Sequence, residues 1–160
     1  MLFRSPVSAT DWCGGALHVR LSGAESAVAT GLARIGGVRL AEPSAEAFWA
    51  DLREQRSAFF AGDAPLWRLS VRSNAAPLAL PGEALLEWGG ALRWWRGECD
   101  AARAREAAAQ GGGHATRFRG GERSATFAPL APALERLHHR LKAAFDPAGI
   151  LNRGRLYPGF

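Results

Sequence analysis

Leu85-Leu-Glu-Trp-Gly-Gly-Ala-Leu-Arg-Trp-Trp95 decides the fold. Two β-prone runs, Leu85–Trp88 and Ala91–Trp95, flank Gly89-Gly90, and that arrangement is a hairpin signal. A tight hairpin makes its two strands antiparallel, so the sheet that contains them is at least partly antiparallel. On its N-terminal side, Leu66-Trp-Arg-Leu-Ser-Val71 alternates apolar and polar residues with the period of a half-buried strand. Leu17-His-Val-Arg-Leu21 does the same, and Val38-Arg-Leu40 is a short strand candidate. On its C-terminal side His114-Ala-Thr-Arg-Phe118 is the last strand. Residues 1–15 read as an extended lead-in with a turn at Gly14-Gly15.

Helical spacing fills the gaps between these strands. Ala24, Val28, Leu32 and Ile35 repeat at three- and four-residue intervals until Gly36-Gly37, with Ser22 placed to cap them. Ser44 is the expected N-cap of a second helix whose stripe is Phe48, Trp49, Leu52, Phe59 and Phe60. Asp100–Gln110 is alanine-rich with alternating charges and reads as a solvent-facing helix. Leu130, Leu134, Leu137, Leu141 and Phe145 mark the most regular helix of the chain. The order points to an α+β fold: a ferredoxin-like antiparallel sheet with helices on one face, plus a C-terminal helix and a docked tail. The expected organisation is an α+β part over residues 1–128 and, in the same domain, a helix and tail over 129–160.

Composition narrows the classes. A chain of 160 residues, 48% hydrophobic, is long enough for one sizeable core. No apolar run reaches the ~20 residues that span a bilayer, and no secretory leader is visible, so a cytoplasmic protein is expected. The net charge of +5 rests almost wholly on arginine. Those arginines are scattered, which argues against a nucleic-acid surface. Two cysteines, Cys13 and Cys99, have no metal-like spacing, and no metal site is expected.

Few segments could carry chemistry. In Glu87–Trp95 the glycine pair permits close backbone approach and the tryptophans offer flat surfaces for an aromatic cofactor; a tight turn beside core rings is the alternative. Glu87 and Arg93 could also face each other across the hairpin. Gly112–Gly121 brackets His114, Arg117 and Arg119 with glycines, without the spacing of a dinucleotide or Walker loop. His138-His139 diverge around a helix and cannot share one metal; they read as a solvated face. Arg68 either meets an anion or points outward. No nucleophile–base–orienter set is present.

The chain ends in Phe145-Asp-Pro-Ala-Gly-Ile-Leu-Asn152-Arg-Gly-Arg-Leu-Tyr157-Pro-Gly-Phe160, an unusually apolar terminus that reads as docked. Together with Pro6-Val-Ser-Ala-Thr10, Val19-Arg-Leu-Ser-Gly-Ala-Glu25, Phe48-Trp-Ala-Asp-Leu-Arg53, Leu66–Val71, Glu87–Trp94 and Gly113–Gly120, it resembles the FAD-binding E subunit of bacterial glycolate oxidase, among the vanillyl-alcohol-oxidase-like flavoproteins. The resemblance implies the C-terminal, substrate-side (cap) half of such a subunit, contributing to oxidation of glycolate to glyoxylate. It also implies FAD bound mainly by a domain absent from this chain, so that the chain is a fragment, a split gene product or a truncated reading frame, inactive alone.

The same resemblance implies as partners the FAD-binding domain, a second flavoprotein subunit, an iron–sulfur subunit and a small 2-hydroxy acid. It places the protein in the cytoplasm, at the inner face of the membrane through its partners. The residues it implies at the flavin are Asn152, Gly154, Trp88, Gly89 and Gly90, with Arg93, His114 and Arg117 on the substrate side and no assigned catalytic residue. Two departures stand out. Catalytic relatives carry a histidine-rich Gly-His-x-Gly-Asp-Gly-Asn-x-His segment where Trp88–Trp94 has no histidine, and their Asn-Pro-Gly is Asn152-Arg153-Gly154 here. The rival reading is a non-catalytic ferredoxin-like module that binds nucleic acid or a partner protein.

Overall fold

A computed structural model describes residues 5–121, 126–157 and 159–160 of the chain. Along the sequence run β1 (Val7–Cys13), β2 (Ala16–Leu21), α1 (Glu25–Ile35), α2 (Glu42–Arg53), β3 (Leu66–Ser70), β4 (Glu83–Glu87), β5 (Leu92–Arg96), α3 (Ala101–Gln110), β6 (His114–Arg119) and α4 (Pro132–Phe145). The strands form one sheet in the order β2-β1-β4-β5-β3-β6, every neighbouring pair antiparallel. The α+β class with an antiparallel sheet is therefore as expected, and the β4–β5 hairpin is its centre.

Side chains alternate across the sheet and build a core on each face. Trp67, Leu69, Val71, Trp95 and Ala115 point to one face, where Ala104 and Ala108 of α3 close over them. So α3 is not solvent-facing all round: both alanines have no exposed surface. Leu66, Leu85, Leu92 and Trp94 point to the other face and meet Leu52 of α2 with Phe59 and Phe60. The helices thus divide between both faces, where the sequence pattern gathered them on one.

Local differences have physical reasons. β1 replaces the expected lead-in, because its inward position is Asp11, 2% exposed, where an alternation test looks for an apolar residue. Val38–Leu40 forms no strand; Val38 is 93% exposed and pairs with no strand among the described residues. Neither serine caps its helix: the N-caps are Ala24 and Ala41, without side-chain bonds, and α2 starts with proline in its first turn. α2 ends at Arg53, and Phe59 and Phe60 sit on a separate 3-10 turn, Ala58–Phe60.

The chain divides into two compact units, Met1–Gly121 and Glu122–Phe160. In the second, Asp146 ends α4 and organises the turn after it. Its carboxylate accepts from the backbone N–H of Ile150 (3.1 Å) and Leu151 (2.9 Å) and from Lys142 Nζ (2.6 Å). Lys142, first among these donors, helps hold the Asp146 carboxyl down at about 2. The Tyr157 hydroxyl donates to the Ala128 carbonyl at 3.2 Å. Phe160 stacks on His139, with ring centroids 4.2 Å apart, so the histidine pair carries the terminal ring as well as an exposed face. Leu134, Leu137, Leu141 and Phe145 leave an apolar stripe exposed along α4.

Candidate functional site

Three consecutive residues at the tip of the β4–β5 hairpin take left-handed backbone angles: Trp88 (φ 53°), Gly89 (φ 61°) and Gly90 (φ 89°). Glycine meets that demand freely, and Gly90 has a second reason, since a Cβ there would approach the Ser73 carbonyl oxygen to 3.0 Å. Trp88 has no such freedom. A bulky residue in this region costs about 1–3 kcal/mol. The turn is tied down by the Gly89 N–H, which donates to Thr10 Oγ1 at 2.7 Å. The result is a Trp88 that is 63% exposed, with the Arg68 guanidinium carbon 5.5 Å from its ring centroid. An exposed cation–π contact returns only about 0.5–1 kcal/mol. It does not by itself offset the strain, so the tip is held by the surrounding structure.

The tip overlooks a groove of about 1630 Å³ between the sheet and α1 and α2. His18, Arg68, Glu87, Trp88, Leu92 and Trp94 form its sheet side. His18 Nδ1 lies 3.1 Å from Asp11 Oδ2, which leaves the other ring nitrogen free of that contact. Burial pushes the Asp11 carboxyl up, against the lowering effect of His18. Glu87 is the cross-strand partner of Asp11; burial raises it too, while the Trp94 indole N–H, donating to Oε2 at 2.7 Å, and Arg68 pull the other way. The groove therefore combines aromatic walls with a few polar groups, the usual make-up of a small-molecule site.

The sequence-derived candidates fall in different places. Trp88, Gly89 and Gly90 form the tip. Arg93 points to the opposite face and is only 4% exposed. Its guanidinium donates to the carbonyls of Gly90 (3.1 Å), Ala76 (2.7 Å) and Ala75 (2.5 Å). It does not face Glu87, which is registered with Leu92. Arg117 lies over the buried Trp67 ring at 4.7 Å, also on that face. His114 begins the edge strand β6 and is exposed. Asn152 (φ 48°) and Gly154 (φ 64°) belong to the second unit. Sequence reasoning did not single out Asp11 or His18. The signal was present, a histidine at a polar position of an alternating strand, but its aspartate partner lay in a segment read as irregular.

Aligned with known proteins, the chain is 42% identical over 152 residues to the glycolate oxidase subunit GlcE of Escherichia coli (strain K12), which covers 95% of this chain. The chain is a relative of a glycolate oxidase subunit. It spans about two fifths of that subunit's length, 42%. The expected resemblance is thereby supported over nearly all of the chain. No family model matches it, and no solved structure matches it.

Other chemistry has less support. Among the described residues, no group of three or more His, Cys, Asp or Glu side chains could hold a metal ion. Cys13 and Cys99 are free thiols that burial pushes up. Among the described residues, no helix is long and apolar enough to cross a membrane.

Proposed function

We propose that this chain is the substrate-side, C-terminal part of an FAD-linked 2-hydroxy-acid oxidase subunit, contributing to the oxidation of glycolate to glyoxylate. The observation that carries this reading is the 42% identity to a glycolate oxidase subunit along 95% of the chain. FAD is bound mainly by a domain outside this chain. The partners are that domain, a second flavoprotein subunit and an iron–sulfur subunit, through which a cytoplasmic protein reaches the inner membrane face.

The hairpin tip fits a flavin. Its Trp88 ring is exposed and flat, and among the described residues other than its chain neighbours no atom lies within 4 Å of where a Gly89 side chain would begin, so a planar ring system can approach bare backbone. A flavin held there would supply the hydride acceptor for oxidation at the α-carbon of the 2-hydroxy acid. Trp88, Gly89 and Gly90 supply a surface for it, and the glycines exclude side chains from that surface. Asn152 and Gly154, in the second unit's tail, are the other flavin-side candidates. Arg93 and Arg117 act behind the site, fixing the 75–76 loop and the Trp67 face. His114, exposed at the edge strand, remains a substrate-side candidate.

Co-expression with the FAD-binding portion of a glycolate oxidase subunit tests the reading. A co-purifying yellow complex with bound-flavin absorbance is expected. A colourless chain that instead retains nucleic acid in a salt-sensitive way would overturn it.

A further inference from the structure

Of the arginines lining the groove, Arg68 is the one that makes no hydrogen bond among the described residues. Arg20 donates to Ser8 Oγ at 3.0 Å, Arg39 pairs with Glu42 at 3.1 Å, and Arg53 pairs with Glu54 at 2.8 Å. Arg68 lines the same groove and is half-buried on the internal strand β3. Among the described residues it makes no hydrogen bond and no ion pair; its contact is the face of Trp88. Glu87, the acid that feels its charge, is engaged by the Trp94 indole. A guanidinium in this state keeps its planar fork of donors, the shape that binds a carboxylate through two parallel bonds.

We propose that Arg68, resting on Trp88, is the carboxylate-binding group of this groove and takes a small monocarboxylate such as a 2-hydroxy acid. The identity of the arginine comes from the geometry, while the class of acid rests on the function proposed above. Trp88 contributes twice. It fixes the plane of the guanidinium from one side and offers apolar surface to the ligand's carbon atoms. The strained backbone at Trp88 is then a device that holds the ring where Arg68 needs it.

Glycolate and its uncharged amide, glycolamide, distinguish this role from mere packing. Each is titrated into the full chain while the Arg68 Nε–H signal and the indole signals are followed by NMR. Glycolate is expected to shift both signals and glycolamide neither. Arg68→Gln should weaken glycolate binding by about tenfold or more, and Arg68→Lys by several-fold, since an ammonium keeps the charge and loses the fork. If Arg68→Gln does not fold, Arg68→Lys carries the test. Equal binding of acid and amide, or glycolate affinity unchanged in both variants, overturns the proposal.

The flavin co-purification separates the two claims. A yellow complex together with Arg68-independent glycolate binding removes the arginine and leaves the proposed function. Arg68-dependent binding with no flavin complex does the reverse.

Discussion

His18 Nδ1 sits 3.1 Å from Oδ2 of Asp11, a carboxylate only 2% exposed, yet burial still raises the Asp11 pKa. Desolvation outweighs the histidine here. The fold therefore holds this proton more tightly than the unfolded chain does. As pH rises from the unfolded value of about 3.9, the unfolded chain releases its proton first and stability falls until the folded group has ionised. Glu87, also raised, has the same sign. Asp11→Asn keeps a carbonyl oxygen for the imidazole and removes the titration. Urea melts at several pH values are expected to show a flatter profile for this variant between acid and neutral pH; a steeper one contradicts that balance.

Asp146 has the opposite sign. Its carboxyl is lowered from 3.8 to about 2 by Lys142 and the Leu151 and Ile150 amides. Its contribution is present above the unfolded value and lost as pH falls through the folded one. Acid should therefore loosen the second unit's helix end while it favours Asp11 and Glu87 in the first. Amide signals of Ile150 and Leu151 followed from about pH 5 downward are expected to move together with a midpoint near 2, and Asp146→Asn to shift both at neutral pH.

Replacing Arg93 should cost stability before anything else. Arg93→Met strips donors from three carbonyls and leaves no charge to compensate. Losing charge-assisted hydrogen bonds to buried carbonyls costs about 1.5–3 kcal/mol, read as a lower midpoint in denaturant. A change of less than about 1 kcal/mol would mean that the 75–76 loop is held by other contacts.

Gly113→Ala should be among the most damaging single changes in the first unit. A Cβ there would fall onto the carbonyl oxygen of Ser70 and within 2.8 Å of Val71 Cα. Ser70 is paired in β3 and cannot yield without releasing β6. A loss of about 3 kcal/mol or more is expected in thermal or urea unfolding.

The β4–β5 hairpin, β3, β6 and four helices were legible because each has a single period and strong breakers at its ends. β1 was hidden by an inward aspartate, and Val38–Leu40 imitated a strand with no neighbour to pair with. Caps misled for a related reason: helices that begin at alanine, two of them with proline in the first turn, do not need a serine. At the site, Trp88, Gly89 and Gly90 were visible as a Gly-Gly turn beside aromatics. Arg68 was visible only as an arginine that either meets an anion or points outward, and the Asp11–His18 pair was not visible, because their meaning depends on cross-strand neighbours far away in sequence. Arg93 looked like a site residue through its position in the motif, whereas the pleat turns it to the other face.

The bond from Gly89 to Thr10 joins residues 79 positions apart. The first hairpin ends at Leu21 and its partner strand at Glu87, so during synthesis at roughly 5–20 residues per second the hairpin is complete about 3–13 s before that strand. Through that interval the β4-facing edge of β1 has no partner, and the Asp11 carboxylate still faces water. The carboxylate whose burial is costly in the finished fold is thus desolvated only when β4 arrives.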